Sequence, residues 1–219
     1  MTRRTKGGPV TPSATPEPRP GPPAGVKPGP PPEPGRGEVF AARYFNNVVL
    51  SPLYRRYVQE MGLRGDERVL DYGSGAGAAA RHLAPLLAAG GGHLTCMDVS
   101  ARWQETLRGV LGAYPGVELR RGDVRTMGLP EASFDVVLVH WMLHDVPPWD
   151  RPSILAELVR LLRPGGRLFS HEPTSPRHGM PAAAVRTLLA AAGLREVVAE
   201  EGKKAILGPY YRAVWFKPG

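Results

Sequence analysis

Short apolar runs alternate along this chain with longer stretches in which apolar residues return every three or four positions. The short runs are Arg68 to Tyr72, His93 to Asp98, Val117 to Arg121, Phe134 to His140 and Arg167 to His171, each of strand length. Between them the spacing predicts a helix from about Ala76 to Ala88, ended by Gly90-Gly91-Gly92, and another from Ala101 to Tyr114. In a third, Arg151 to Leu162, the residues Ile154, Leu155, Leu158, Leu161 and Leu162 make one apolar face that must pack on a sheet. Strands alternating with helices demand a parallel, doubly wound sheet. After a helix from Pro181 to Ala192, closed by Gly193, two strands follow without a helix between them, Leu194 to Glu200 and about Tyr211 to Phe216. So short a connection makes the last strand antiparallel. The expected fold class is α/β, with a doubly wound seven-stranded sheet, mostly parallel, whose C-terminal strand is antiparallel.

The pattern changes near the amino terminus. From Val39 to Met61 aromatic and aliphatic residues recur at helical spacing, and Ser51-Pro52 reads as an N-cap followed by a first-turn proline that restarts the helix after a break. Two lid helices are expected. Residues 1–37 are dense in proline and glycine and nearly free of aliphatic side chains, so they cannot bury enough surface to offset the entropy of ordering. We read them as a disordered tail and residues 38–219 as one domain. The segment Pro28-Gly29-Pro30-Pro31-Pro32 suits polyproline II, which leaves the tail either a docking arm or a dispensable extension.

Composition narrows the class. At 219 residues the chain has room for one domain with a sizeable core. A single cysteine, Cys96, excludes an internal disulfide and any multi-cysteine zinc site. No apolar run approaches the roughly 20 residues that span a bilayer, and the Pro-rich start lacks the apolar stretch of a secretory signal. A cytoplasmic protein without membrane insertion is expected. The formal charge of +8 invites a nucleic-acid partner, but the cations are scattered without interleaved aromatics, which disfavours it. Oligomeric state is not legible.

The candidate chemistry starts at Val69-Leu70-Asp71-Tyr72-Gly73-Ser74-Gly75-Ala76-Gly77, where a carboxylate stands two residues ahead of a glycine turn at the end of a strand. Glycines let the backbone approach a ligand closely, and the following helix offers unpaired N–H groups. Gly73-x-Gly75-x-x-Ala78 also satisfies the dinucleotide fingerprint. The second acidic residue, Asp98 at the end of the next strand, suits S-adenosyl-L-methionine better. Together with Gly122-Asp123-Val124, Phe134 to Val139, and Leu162-Arg163-Pro164-Gly165-Gly166-Arg167-Leu168, these motifs resemble the class I SAM-dependent methyltransferases, over about residues 40–217 and in that family's order.

The resemblance implies a Rossmann-like sheet, SAM as cofactor, and a small-molecule acceptor methylated at oxygen, nitrogen or activated carbon, as in quinone-biosynthesis members. It places Gly73, Ser74, Gly75 and Gly77 around the methionine part, with Asp71 orienting that loop or accepting from the ammonium. Asp98 would take the ribose hydroxyls, Val99 would cover the adenine, and Asp123 with the Val124 backbone would read its amino group. Tyr44, in a lid helix, would close over the cofactor. His140 ends the fourth strand, His144 follows one turn later, and His171-Glu172 end the fifth, so the four could converge over the transferred methyl with His140 as base. His144 is as readily structural. A metal at these four residues fits poorly, because histidines suit zinc or iron rather than the magnesium of catechol-type relatives; no metal is expected. Asp145-Val146-Pro147-Pro148-Trp149 resembles the amino-methyltransferase signature only superficially. An RNA or protein methyltransferase and a non-catalytic SAM-binding module remain as alternatives.

Overall fold

A computed structural model describes residues 33–219. Two helices, α1 (Arg36–Tyr44) and α2 (Ser51–Glu60), precede the sheet and are joined by a π-helical turn over Phe45–Val49. Ser51 is already helical and caps nothing; Leu50 takes the cap position, and the Ser51 hydroxyl lies 3.3 Å from Nε2 of His82. The predicted 1–37 tail lies outside the described residues up to position 32, whereas Glu33 and Pro34 make specific contacts and α1 begins at Arg36.

The strands are β1 (Arg68–Tyr72), β2 (His93–Asp98), β3 (Val117–Arg121), β4 (Phe134–His140), β5 (Leu162–Ser175), β6 (His178–Gly179), β7 (Arg195–Lys204) and β8 (Gly208–Phe216). Their order is β3-β2-β1-β4-β5-β8-β7, with β6 forming a two-residue ribbon on the end of β5. The main path therefore has the expected seven strands, and the ribbon makes an eighth. β1 to β5 are parallel, while β8 runs antiparallel to both β5 and β7. β5 is longer than the run Arg167 to His171 because β4 and β8 flank it and the ribbon extends its end.

Helices α3 (Ala80–Gly90), α4 (Ala101–Leu111), α5 (Arg151–Leu161) and α6 (Ala182–Ala191) cover the sheet. α3 starts four residues later than the spacing predicts, since positive φ at Gly75 and Gly77 holds the preceding residues in turns. Successive strand residues face opposite sides. Leu70, Val137, Val139 and Leu168 join a core with α5 and α6, while Val69, Val136, Leu138 and Phe169 join a second core with α2, α3 and α4. Each fully buried Leu or Ile contributes roughly 1.5–3 kcal/mol, so these two apolar layers fix the register of the central strands β1, β2, β4 and β5. The same alternation puts His140 and His171 on the α2 face and Glu172 on the α5 face. No described helix is long and apolar enough to cross a membrane.

Candidate active site at the strand ends

The glycine loop leaves β1 and is tied to the neighbouring strand end. Gly73 and Ser74 both donate to the Met97 carbonyl, at 2.8 and 3.1 Å, and the Ser74 hydroxyl donates to the Asp71 carbonyl at 2.7 Å. Gly75 donates to Oδ2 of Asp98 at 2.9 Å, and the Ser100 N–H to its Oδ1 at the same distance. Asp98 thus fixes the loop and the start of α4 while each oxygen keeps a lone pair. Burial raises its pKa against the lowering effect of these bonds. Asp71 is also buried, and desolvation pushes its carboxyl up to about 7.

The three glycines have different tasks. All have positive φ, yet a Cβ on Gly75 would meet only the Gly73 carbonyl oxygen, in ordinary contact at 3.9 Å, so this position is the least crowded of the three. A Cβ on Gly73 would come within 2.7 Å of Met142, a residue whose part in the site has no sequence signal. Gly77 faces away: a Cβ there would lie 3.1 Å from Leu107 of α4, so its smallness serves helix packing.

Farther along the strand ends, Val99 is half-buried and Ser100 caps α4 by accepting from Trp103. Glu33 reaches this point from the amino-terminal side, accepting from the Ser100 hydroxyl at 2.7 Å and the Ala101 N–H at 2.8 Å. Asp123 caps a 3-10 turn over Val124–Thr126 and is held by the Arg125 guanidinium, whose hydrogen bonds keep its carboxyl below its ordinary pKa. Arg125 also bridges to Asp150 at 2.6 Å. The Val124 side chain is fully buried, leaving only its backbone available. Tyr44 is 58% exposed on α1.

At the ends of β4 and β5 the four predicted residues separate into two pairs. On the α5 face, Glu172 is 0% exposed. Its carboxylate accepts from the N–H groups of Met142, Leu143 and His144, and from Nδ1 of His144 at 2.7 Å. On the α2 face, the His140 and His171 rings meet edge-on with centroids 4.8 Å apart, and Tyr57 lies within 5.0 and 5.3 Å of them. Tyr54 and Tyr210 complete an aromatic wall. Burial pushes His140 down to about 3, and burial with the charges of Arg212 and Lys204 depresses His171, so both imidazoles are neutral. Neither nitrogen of His171 has a partner, nor do the buried Tyr57 hydroxyl and Trp141 indole N–H. Trp141, between the two pairs, has φ +53° and donates its backbone N–H to the His171 carbonyl at 2.7 Å. A left-handed bulky residue costs about 1 kcal/mol or more and is held by its surroundings. The predicted convergence of all four groups is therefore corrected: strand parity puts one pair on each face.

The segment that carries these strand ends matches a known family model. The methyltransferase domain model matches residues 70–170. That segment is similar to methyltransferase domains. Among curated relatives, the demethylmenaquinone methyltransferase of Tropheryma whipplei is 34% identical over 138 residues, covering 60% of this chain and 54% of that protein. A ubiquinone/menaquinone biosynthesis C-methyltransferase of Hahella chejuensis is 30% identical, over 57% of this chain and 51% of that protein. The chain thus spans about half the length of the curated relatives it matches. In fold, the domain is similar to a SAM dependent methyltransferase from Aquifex aeolicus, with TM-score 0.68 at 19% identity, covering 81% of this chain and 97% of that one.

Proposed function

We propose that this methyltransferase domain binds S-adenosyl-L-methionine and transfers its methyl group to an oxygen, nitrogen or activated carbon of a small-molecule acceptor. The observation that carries the reading is Asp98, which ties the glycine loop to the end of β2 and retains free lone pairs on both oxygens. The donor set fits the cofactor. Asp71 is a carboxyl whose pKa burial raises to about 7 and which an ammonium would partner, and Gly75 on the same loop is crowded by nothing closer than the Gly73 carbonyl at 3.9 Å. Bound SAM supplies a methyl group on a sulfonium, already activated for in-line displacement.

In this reading Gly73, Ser74 and Gly75 line the methionine part, Asp98 and Val99 the nucleoside, and Asp123 with the Val124 backbone the base. Tyr44 belongs to the lid, and Gly77 acts through packing. His140 and His171 orient the acceptor as neutral imidazoles. His144 and Glu172 brace the turn after β4 and touch no substrate. Binding to the charge-bearing surface of RNA or protein is the competing reading.

Incubating the protein with methyl-labelled SAM and the small-molecule, RNA and protein fractions of its host tests this. Label in small molecules is expected; label confined to RNA or protein overturns the acceptor assignment. Asp98→Ala is expected to weaken S-adenosylhomocysteine binding by roughly 100-fold, since two charge-assisted hydrogen bonds at about 1.5–3 kcal/mol each organise the loop. Unchanged affinity by calorimetry would remove the cofactor assignment.

A further inference from the structure

Ser100 is bonded to two carboxylates. Its backbone N–H donates to Oδ1 of Asp98 at 2.9 Å, and its hydroxyl donates to Oε2 of Glu33 at 2.7 Å while accepting from the Trp103 N–H at 3.2 Å. Gly75 continues the series by donating to Oδ2 of Asp98 at 2.9 Å. Hydrogen bonds therefore lead from the amino-terminal segment to the glycine loop, through the residue that carries the proposed function.

Glu33 reaches Ser100 from 67 positions earlier in the chain. It also accepts from the Ala101 and Arg102 N–H groups at 2.8 and 3.3 Å, so with Trp103 bonded to Ser100 the first three N–H groups of α4 all have acceptors. The Arg102 guanidinium returns a bond to the carbonyl of Pro34, which is buried. α1 itself buries no residue, so the lid is held by its ends. One end is this contact. The other is Asn47, whose side-chain amide donates to the Ala76 carbonyl of the glycine loop at 2.9 Å.

The Ser100 hydroxyl has one proton, and Glu33 receives it. Deprived of that acceptor, a hydroxyl rotates its proton towards another, and the other carboxylate bonded to Ser100 is Asp98. A proton donated there would occupy a lone pair that ribose hydroxyls need. We infer that Glu33 is a positioning residue: by holding the Ser100 proton it keeps Asp98 open to a vicinal diol, and so couples the lid to recognition of the nucleoside. The inference rests on the proposed function, since it takes Asp98 as the acceptor for the cofactor's ribose. A helix cap alone would stabilise α4 without favouring one ligand over another.

That difference is measurable with S-adenosylhomocysteine and its analogue lacking both ribose hydroxyls, each titrated calorimetrically into the full chain and its variants. The unaltered chain is expected to prefer the diol. Glu33→Ala should weaken S-adenosylhomocysteine about tenfold, as the loss of one hydrogen bond to a charged group does, and leave the affinity for the analogue unchanged. Adding Ser100→Ala removes the competing hydroxyl, so the double variant should regain most of the lost affinity even though α4 has lost its cap. Equal affinity of the unaltered chain for the two ligands, no loss in Glu33→Ala, an equal loss for both ligands, or a further loss in the double variant overturns the inference while S-adenosylhomocysteine binding, and with it the proposed function, stands. Failure of the unaltered chain to bind S-adenosylhomocysteine removes both.

Discussion

His171 and Glu172 are consecutive residues on β5, both buried and both titratable, yet the two faces of the sheet treat them in opposite ways. Glu172 collects three backbone N–H groups and the His144 ring. His171 has no hydrogen-bond partner on either nitrogen. The α5 face uses its charged group to hold the turn that follows β4, whereas the α2 face leaves polar atoms waiting. Of the seven buried side-chain atoms without partners among the described residues, four belong to Tyr57, Trp141 and His171. Each such atom costs about 1–3 kcal/mol. That cost gathers around the ends of β4 and β5 on the α2 face, whereas the saturated carboxylate one residue away braces the turn after β4.

The contrast breaks most visibly at Glu172. Removing one member of a buried charged network typically costs about 3–5 kcal/mol because the remaining groups stay desolvated. Glu172→Ala is expected to destabilise the protein by that amount, measured by urea denaturation, with loss of all activities following from unfolding of the turn at 141–145. Glu172→Gln should recover part of the stability, since the amide oxygen still accepts from the Leu143 N–H. A loss below about 1 kcal/mol for the alanine variant would mean that the α5 face is no more committed to structure than its neighbour.

Replacing His171 should have the reverse sign. Phe keeps the ring packing against Tyr57 and His140 and removes two unsatisfied nitrogens, so His171→Phe is expected to raise stability by about 1 kcal/mol while weakening acceptor binding. Cofactor affinity should not change. A destabilised variant would show that the imidazole finds partners the site geometry does not provide, and the distinction between the faces would narrow.

How much of this was legible in the sequence follows from distance along the chain. The proposed cofactor side is written in contiguous motifs: a strand, its glycines and the next strand's terminal Asp98 sit within about 30 residues, and the periods that predict β1 to β4 also predict where those groups emerge. Backbone conformation was less accessible, so Gly77 reads like its neighbours although it packs on Leu107, and the start of α3 was placed too early. The ring cluster around His140 and His171 is assembled from α2, β4, β5 and β8, and no local pattern joins Tyr57 to Tyr210. Strand parity alone separates His171 from Glu172, because alternation is a period of two. Nothing in the sequence signals a left-handed Trp141 or the contact of Met142 with Gly73.

The smallest effect is the most specific one, the pH dependence carried by His144. Burial pulls this imidazole down, but the hydrogen bond to Glu172, with the charges of Glu172 and Asp145, raises its pKa above the ordinary value near 6.5. A group with a raised folded-state pKa contributes stability that is complete below its unfolded pKa and is lost as pH climbs through the folded value. The stability difference between the unaltered chain and His144→Gln should therefore be larger at pH 6 than at pH 9, by about 1 kcal/mol or less for a pair with one partly exposed member. On the other face, His140 and His171 are neutral throughout this range, because both titrate below it. Because the unfolded imidazoles take up protons near pH 6.5 while the folded ones stay neutral, either histidine costs stability as pH falls towards 6, so the difference made by substituting it should change with pH in the sense opposite to that of His144. If the His144 difference does not shrink between pH 6 and 9, its imidazole gains nothing from Glu172, and Glu172 holds the turn through the backbone alone.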